Sequence, residues 1–308
     1  MFSVNEHKEI MEKYWKPKLQ GKEYPVDYIE SLFQGKQCKT SFYDVPDSFK
    51  DIPSEELQPL VQEYIKSKIS SNFNIPKNKI KFYDHHTCHI MYGYFANPNP
   101  KNETIGLTID AFGDGKNQTV WKIKDGKFEL LEFSNECEIA RLYRAVTLYL
   151  RLKPLEHEFK VMGLAPYAKE EHYSEIVEKF HELLKIDGLT VKHKNRPADL
   201  FQFLVDELKY YRFDNIAGGV QKYIEEVSVE LMKSIYDLTQ IKNFVFSGGV
   251  AMNVKLNKVL TDLSFVDDFF VGGSSSDESL CIGACYYSNY INNINNAPLY
   301  DLFIGPNI

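Results

Sequence analysis

Residues 103–133, ETIGLTIDAFGDGKNQTVWKIKDGKFELLEF, constrain the fold more than any other stretch of this chain. ETIGLTID (103–110) alternates and is rich in β-formers, and it ends in the glycine turn DAFGDG, framed by Asp110 and Asp114. NQTVWKIK and KFELLEF continue as two more strands, with KDGK as the hairpin turn between them. The expectation is a three-stranded antiparallel meander with a carboxylate, Asp110, at the end of its first strand.

Beyond the meander, helices and strands alternate. EIARLYRAVTLYLRL reads as a helix, and EFKVMGLAPYA (158–168), with its glycine and proline, reads as loop. Residues 172–212 read as solvent-facing helix broken at KIDGLTVKHKNRPAD, an inserted cap over about 168–212. A long helix from Ala217 to Leu238 leads to the strand NFVFS, a double-glycine exit, the helix VKLNKVL, the strand DDFFVGG and the helix DESLCIGACYYSNYI, with NYINNINNAP as a polar loop. Upstream, helical spacing predicts Ser54–Phe73 as a helix capped by Ser54, and IKFYD (80–84) as a short buried strand. Three antiparallel strands, helix, strand, helix, strand, helix is the order of one ribonuclease-H-like lobe. The expected fold class is α/β, an actin-like ATPase fold of two such lobes. Residues 1–100 would be an incomplete first lobe and 101–308 the second.

Composition narrows the function. The chain has 308 residues, 44% hydrophobic and 26% charged, with net charge −7, which argues against a phosphate-backbone binder. No stretch approaches the roughly 18–20 apolar residues that span a bilayer. Five cysteines without CxxC spacing, behind a start lacking an apolar leader, fit a reducing, cytoplasmic setting. Cys281 and Cys285 read as core on an apolar helix, and KYYRF (209–213) as packing.

DHHTCH (84–89) carries three of the eight histidines. On a helix His85 and His89, at i and i+4, share one face and can hold one metal ion, whereas His86 points about 100° away. A solvated helix start capped by Asp84 is the plainer alternative. FSGGVAMNVKLN (246–257) lets backbone approach a ligand at Gly248 and Gly249 and then opens a helix whose N-terminus favours anions. It is neither GxGxxG nor a P-loop. Asp277 in SSSDES reads as a helix cap, with a second oxygen free for a metal.

DHHTCH, TIDAFGDG, LYRAVTLYL, EFKVMGLAPYA, FSGGVAMNVKLN and SSSDESLCIGA, in this order over about residues 80–290, resemble the carbamoyltransferase family of antibiotic and nodulation-factor tailoring enzymes. That domain is similar to the tRNA threonylcarbamoyl-transferase catalytic subunit. The resemblance implies O-carbamoyl transfer from carbamoyl adenylate to a small-molecule or sugar hydroxyl. It implies one metal, Fe²⁺ or another divalent transition metal, on His85, His89, Asp110 and Asp277, with His86 as neighbour. It implies ATP or an adenylate cradled by Gly113, Gly163, Ser247, Gly248, Gly249, Val250 and Asn253, with Lys160 near phosphate and Glu158 near ribose. Ala111 and Asp114 stand where the family usually has glycine and glutamate. The family's opening hairpin with a His-Asp pair, and its YrdC-like domain that makes the adenylate from carbamoyl phosphate, have no counterpart in this sequence. Expected partners are therefore a YrdC-like domain or chain and a chain completing the first lobe. A nucleotide- and metal-binding remnant or scaffold, and tRNA threonylcarbamoyl transfer, are the alternatives.

Overall fold

The computed structural model describes residues 54–301, with side chains from residue 59 onward. The chain divides between Tyr83 and Asp84 into two units. In the first, α1 (Ser54–Phe73) is the helix expected from its spacing. Residues 80–84 form no strand, and none of them is buried, which corrects the buried strand expected there. Among the described residues no strand pairs with this segment, and without a ladder its backbone groups are better served by water.

The second unit begins with α2 (His85–Phe95), β1 (Glu103–Gly113), β2 (Lys116–Lys124), β3 (Lys127–Ser134) and α3 (Ile139–Tyr149). It continues through α4 (Glu158–Leu164), α5 (Glu170–His181), β4 (Leu184–Asp187), β5 (Thr190–His193) and α6 (Leu200–Leu208). The last elements are α7 (Phe213–Thr239), β6 (Asn243–Ser247), α8 (Val254–Thr261), β7 (Asp268–Val271) and α9 (Leu280–Ile291). The main sheet runs β3-β2-β1-β6-β7. Its first three strands form the antiparallel meander, and β6 and β7 join β1 in parallel. Both meander turns place Asp-Gly in the left-handed region: φ is 47° and 81° at Asp114 and Gly115, and 49° and 74° at Asp125 and Gly126. These turns match the twist of the flanking strands.

Alternation along β1 decides what faces what. Ile105, Leu107 and Ile109 enter the main core with α3, α7 and the buried Phe244 and Phe246 of β6. Gly106, Thr108 and Asp110 face α2, where they meet Ile90, His86 and His85 in turn. On its other side α2 is crossed closely by α9, where a Cβ at Gly283 would lie 2.0 Å from the Cys88 carbonyl oxygen. Since α2 packs with β1, β6 and α9, the unit boundary falls ahead of it, at Tyr83/Asp84, instead of near residue 100.

Four other expectations change. EFKVMGL is helix α4, because burial of Val161 in the main core outweighs the glycine. The break in 172–212 is the β4–β5 hairpin. That region is also not a detached cap: Ile176, Phe180, Val191, Leu204 and Leu208 belong to the main core. Gln118 of β2 clamps the hairpin, donating to the Leu189 carbonyl (3.2 Å) and accepting from Val191 N–H (2.8 Å). Cys281 and Cys285 are exposed, because Gly283 and Tyr286 form the buried face of α9. In KYYRF, Tyr211 packs on the core while Tyr210 and Phe213 are exposed. No helix among the described residues is long and apolar enough to cross a membrane.

Candidate metal centre and adjoining cavity

The start of α2 is fastened to the β1–β2 hairpin. Thr87 donates its backbone N–H to Asp84 Oδ1 (2.8 Å), the expected cap. Asp84 Oδ2 accepts from Lys116 Nζ (2.6 Å), and Asp114 Oδ2 accepts the His85 N–H (2.8 Å). Burial opposes ionisation of Asp84, but Lys116 and the Thr87 bonds hold its carboxyl below its usual value. With the helix start pinned, His85 and His89 project from one face toward the end of β1.

There they meet two carboxylates. His85 Nε2 lies 2.8 Å from Asp110 Oδ2 and 3.5 Å from Asp277 Oδ1. His89 Nε2 lies 3.5 and 3.6 Å from the same two oxygens, and 3.1 Å from His85 Nε2. One donor atom from each of the four residues falls within 4.8 Å of all the others. Donors about 2.1 Å from one ion stand about 3.0 Å apart at right angles and about 3.4 Å apart at tetrahedral angles. The observed spacings bracket both values, so the donor set fits a single divalent ion. His85, His89 and Asp110 are buried, whereas the Asp277 side chain is 50% exposed, leaving one side of the cluster open.

The electrostatics point the same way. Burial would raise Asp110, yet the His85 and His89 rings hold its carboxyl well below the usual carboxylate range. Burial would lower His89, yet Asp110 and Asp277 raise it. Two carboxylates facing two imidazoles favour a cation among them. His86 behaves oppositely: burial, then its neighbour His85, pulls it down to about 4.

A cavity of about 410 Å³ adjoins the cluster through Asp110. Its walls come from the β6 exit (Gly249, Val250, Asn253), from α3 (Tyr143, Arg144), and from α4 with the chain before it (Leu155, Glu158). The exits of parallel strands are where open α/β sheets collect ligands. Gly248 N–H donates to the Ser275 carbonyl (2.9 Å), tying the β6 exit to the β7 exit. A Cβ at Gly249 would lie 2.8 Å from Asp110 Oδ1, so its absence leaves that oxygen open toward the cavity.

The carbamoyltransferase N-terminus family model matches residues 8–286. The chain belongs to this family. Among curated relatives, the nodulation protein NolNO of Sinorhizobium fredii is 25% identical over 243 residues, covering 76% of this chain and 35% of NolNO. The uncharacterised protein MJ1058 of Methanocaldococcus jannaschii is 25% identical over 227 residues, covering 68% of this chain and 37% of MJ1058. The chain thus spans well under half the length of these relatives. Among solved structures, full-length HypF in its phosphate- and nucleotide-bound form has a TM-score of 0.50 at 14% identity. That match covers 72% of this chain and 45% of HypF, and it is a likeness of fold.

In this carbamoyltransferase-family chain the four metal-ligand candidates come together, and Asp277 does not act as the cap expected of it. It opens a single 3-10 turn whose cap is Ser276, and its carboxylate faces the histidines. Asp110 is not the last residue of its strand either. β1 continues to Gly113 through an irregularity after Ile109, and the turn carboxylate is Asp114. Of the nucleotide candidates, Gly249, Val250 and Asn253 line the cavity, as does Glu158. Asn253 also caps α8 through Leu256 N–H (3.0 Å) and pairs with Gln221 through both amide atoms (2.9 and 3.2 Å). Ser247 and Gly248 lie one layer behind, Ser247 beside Gly93 and Gly248 on Ile109. Gly113 backs the His85 ring, where a Cβ would stand 2.2 Å from it.

Gly163 and Lys160 also lie outside the cavity lining. Gly163 is exposed on α4 with open space around it, and Lys160 reaches His157 Nε2 (3.0 Å) on the exposed side. The cation in the cavity wall is instead Arg144, which sequence reasoning missed. Its signal is an arginine inside the buried, mostly apolar stripe of α3. Tyr143, bonded through its hydroxyl to Gln221 Oε1 (3.0 Å), was missed as well.

Glu158 carries a pH-dependent prediction. Burial pushes its carboxyl up, against the Leu155 N–H and Arg144, which favour the charged form. A raised carboxyl pKa means that the folded state binds the proton more tightly than the unfolded chain. Its unfavourable contribution is therefore full above the folded value and vanishes below the ordinary value of 4.5. Glu158→Gln, which keeps an acceptor for Leu155, should raise Tm near pH 8, with the gain fading by about pH 4. Thermal melts across that range check it.

Proposed function

We propose that this chain is an O-carbamoyltransferase catalytic domain, moving a carbamoyl group from carbamoyl adenylate to a hydroxyl of a small-molecule or sugar acceptor. The observation that carries the reading is the double use of Asp110. Its Oδ2 faces His85 and His89, while its Oδ1 faces the space beside Gly249 in the cavity wall. A group held in the cavity is therefore adjacent to the metal-donor cluster. HypF, a protein of similar fold, was solved with phosphate and nucleotide bound, which supports a nucleotide-binding reading of the fold. In this reading residues 84–301 are one ribonuclease-H-like lobe of an actin-like ATPase fold.

The chemistry asks little covalent work of the protein. The acceptor oxygen attacks the carbamoyl carbon, the bond from that carbon to the adenylate phosphate oxygen breaks, and AMP leaves with the electron pair as the hydroxyl proton is released. Arg144, buried in the wall, offers fixed positive charge where the leaving phosphate gathers negative charge. The 3-10 turn after β6 presents Gly249 and Val250 to the cavity. His85, His89, Asp110 and Asp277 would hold a divalent ion, Fe²⁺ or another metal suited to mixed nitrogen and oxygen donors, which supplies Lewis acidity at a bound oxygen. Carbamoyl adenylate itself would come from carbamoyl phosphate through a YrdC-like domain or chain.

Metal analysis and calorimetric titration with ATP test the reading together. Anaerobically purified chain should carry about one divalent transition metal ion, since four donors make one site, and should bind ATP. Nucleotide binding without a bound transition metal would favour a scaffold role. Specific tRNA binding in a gel-shift assay would favour threonylcarbamoyl transfer.

A further inference from the structure

A buried chain of hydrogen bonds runs behind the metal-donor cluster. Trp121 Nε1 donates to Thr119 Oγ1 (2.8 Å), Thr119 and Thr108 hydroxyls meet at 2.5 Å, Thr108 Oγ1 meets His86 Nδ1 at 2.7 Å, and His86 Nε2 meets the Lys116 carbonyl at 3.2 Å. Thr108, Thr119 and His86 are each fully buried. Thr108 and Thr119 are direct cross-strand partners of β1 and β2.

The two ends of this chain fix its direction. An indole N–H can only donate, and a carbonyl oxygen can only accept. The hydrogen on His86 must therefore sit at Nε2, pointing to Lys116. Nδ1 is left to accept the Thr108 hydroxyl hydrogen, Thr108 accepts from Thr119, and Thr119 accepts from Trp121. Every hydrogen then has an acceptor. In the reversed arrangement, with a hydrogen on Nδ1, Thr108 donates to Thr119, which already accepts from Trp121, and the Thr119 hydrogen loses its place in the chain. Buried polar groups seldom tolerate that.

This network spans the two sources of metal donors. His86 lies between His85 and His89 on α2, and Thr108 lies two residues before Asp110 on the same face of β1. We infer that His86, fixed in its Nε2–H form by Thr108, Thr119 and Trp121, is a positioning residue that presets the separation between the His85/His89 pair and Asp110. The inference rests on the metal site proposed above.

Its test uses the full chain, Co²⁺ as probe, and isosteric variants. Thr108→Val keeps the shape and removes the hydroxyl. It should weaken Co²⁺ binding about 10–100-fold, the range for groups that orient metal ligands, and should shift the Co²⁺ absorption bands, which report ligand geometry. Thr108→Ser should restore both, as a purely packing role would not. Thr119→Val, one step further from the donors, should move both readouts in the same direction by less, and stands in if Thr108→Val does not fold. Independently of any metal, ¹⁵N shifts of the His86 imidazole in the metal-free chain should show hydrogen at Nε2 alone. Wild-type affinity and spectrum in folded Thr108→Val, or hydrogen at Nδ1, would overturn the inference while leaving the metal site intact. Metal retained after loss of both His85 and His89 would instead overturn the site, and the inference with it.

Discussion

Metal content of the purified chain should fall from about one divalent ion to none when His85 and His89 are both replaced by alanine. The two imidazoles are half of a set of four donors lying within 4.8 Å of one another. Changes to groups that merely orient a ligand already cost about 10–100-fold in affinity, so losing two donors costs far more. The remaining carboxylates cannot compensate, because two oxygen donors, one of them on the half-exposed Asp277, leave the site short of ligands. The fold should survive. The start of α2 is held by Asp84 on Thr87 and by Asp114 on the His85 backbone N–H, which alanine retains. Its middle is held by His86 on Thr108 and by Ile90 against Gly106. The stability cost comes from Asp110, left buried without the rings that hold it ionised, and is about 1–3 kcal/mol. Mass-spectrometric metal analysis beside a thermal melt separates these effects. Metal retained in the double variant would remove the site assignment.

Gly248→Ala should destabilise the fold by about 2–6 kcal/mol, the sum of backbone strain and overpacking. Gly248 has φ 93° and ψ 168°, a region that side chains disfavour strongly. A Cβ there would stand 2.4 Å from the Ile109 carbonyl oxygen and 2.8 Å from its carbon. Those are backbone atoms of a central strand and cannot swing aside. Either the β6 exit moves off β1 or β1 shifts and carries Asp110 with it, so metal affinity should fall along with stability. Gly115, also at positive φ (81°) but with nothing within 4 Å, should lose stability only through strain. Urea unfolding of both variants gives the comparison, and equal small losses would show that the close approach at Ile109 does not matter.

The meander was legible because its turns carry Asp-Gly between alternating strands, a signal complete within each hairpin. The same dipeptide in KIDGLT marks the β4–β5 hairpin, where Gly188 has φ 59°. Strands of four residues are too short to show alternation, so this hairpin was not legible. α4 was hidden by Gly163, which discourages helix locally but is overruled once Val161 enters the core, and by Pro166, which falls just past the helix end in a 3-10 turn. IKFYD failed in the opposite sense: it has strand composition, but no strand pairs with it among the described residues.

The candidate site divides along the same line. Spacing alone put His85 and His89 on one helical face and capped that helix with Asp84, because these relations reach no further than one turn. Asp110 and Asp277 joined them only through resemblance, since no local rule connects β1, the β7 exit and α2. The β3-β2-β1-β6-β7 order brings them together by placing the ends of β1, β6 and β7 side by side. Arg144 of α3 lines the cavity wall, and Lys160 of α4 stays outside it. Local residue patterns were enough for most of the elements and for the histidine pair. Which charges meet was settled by the packed fold, because that depends on which strand ends become neighbours.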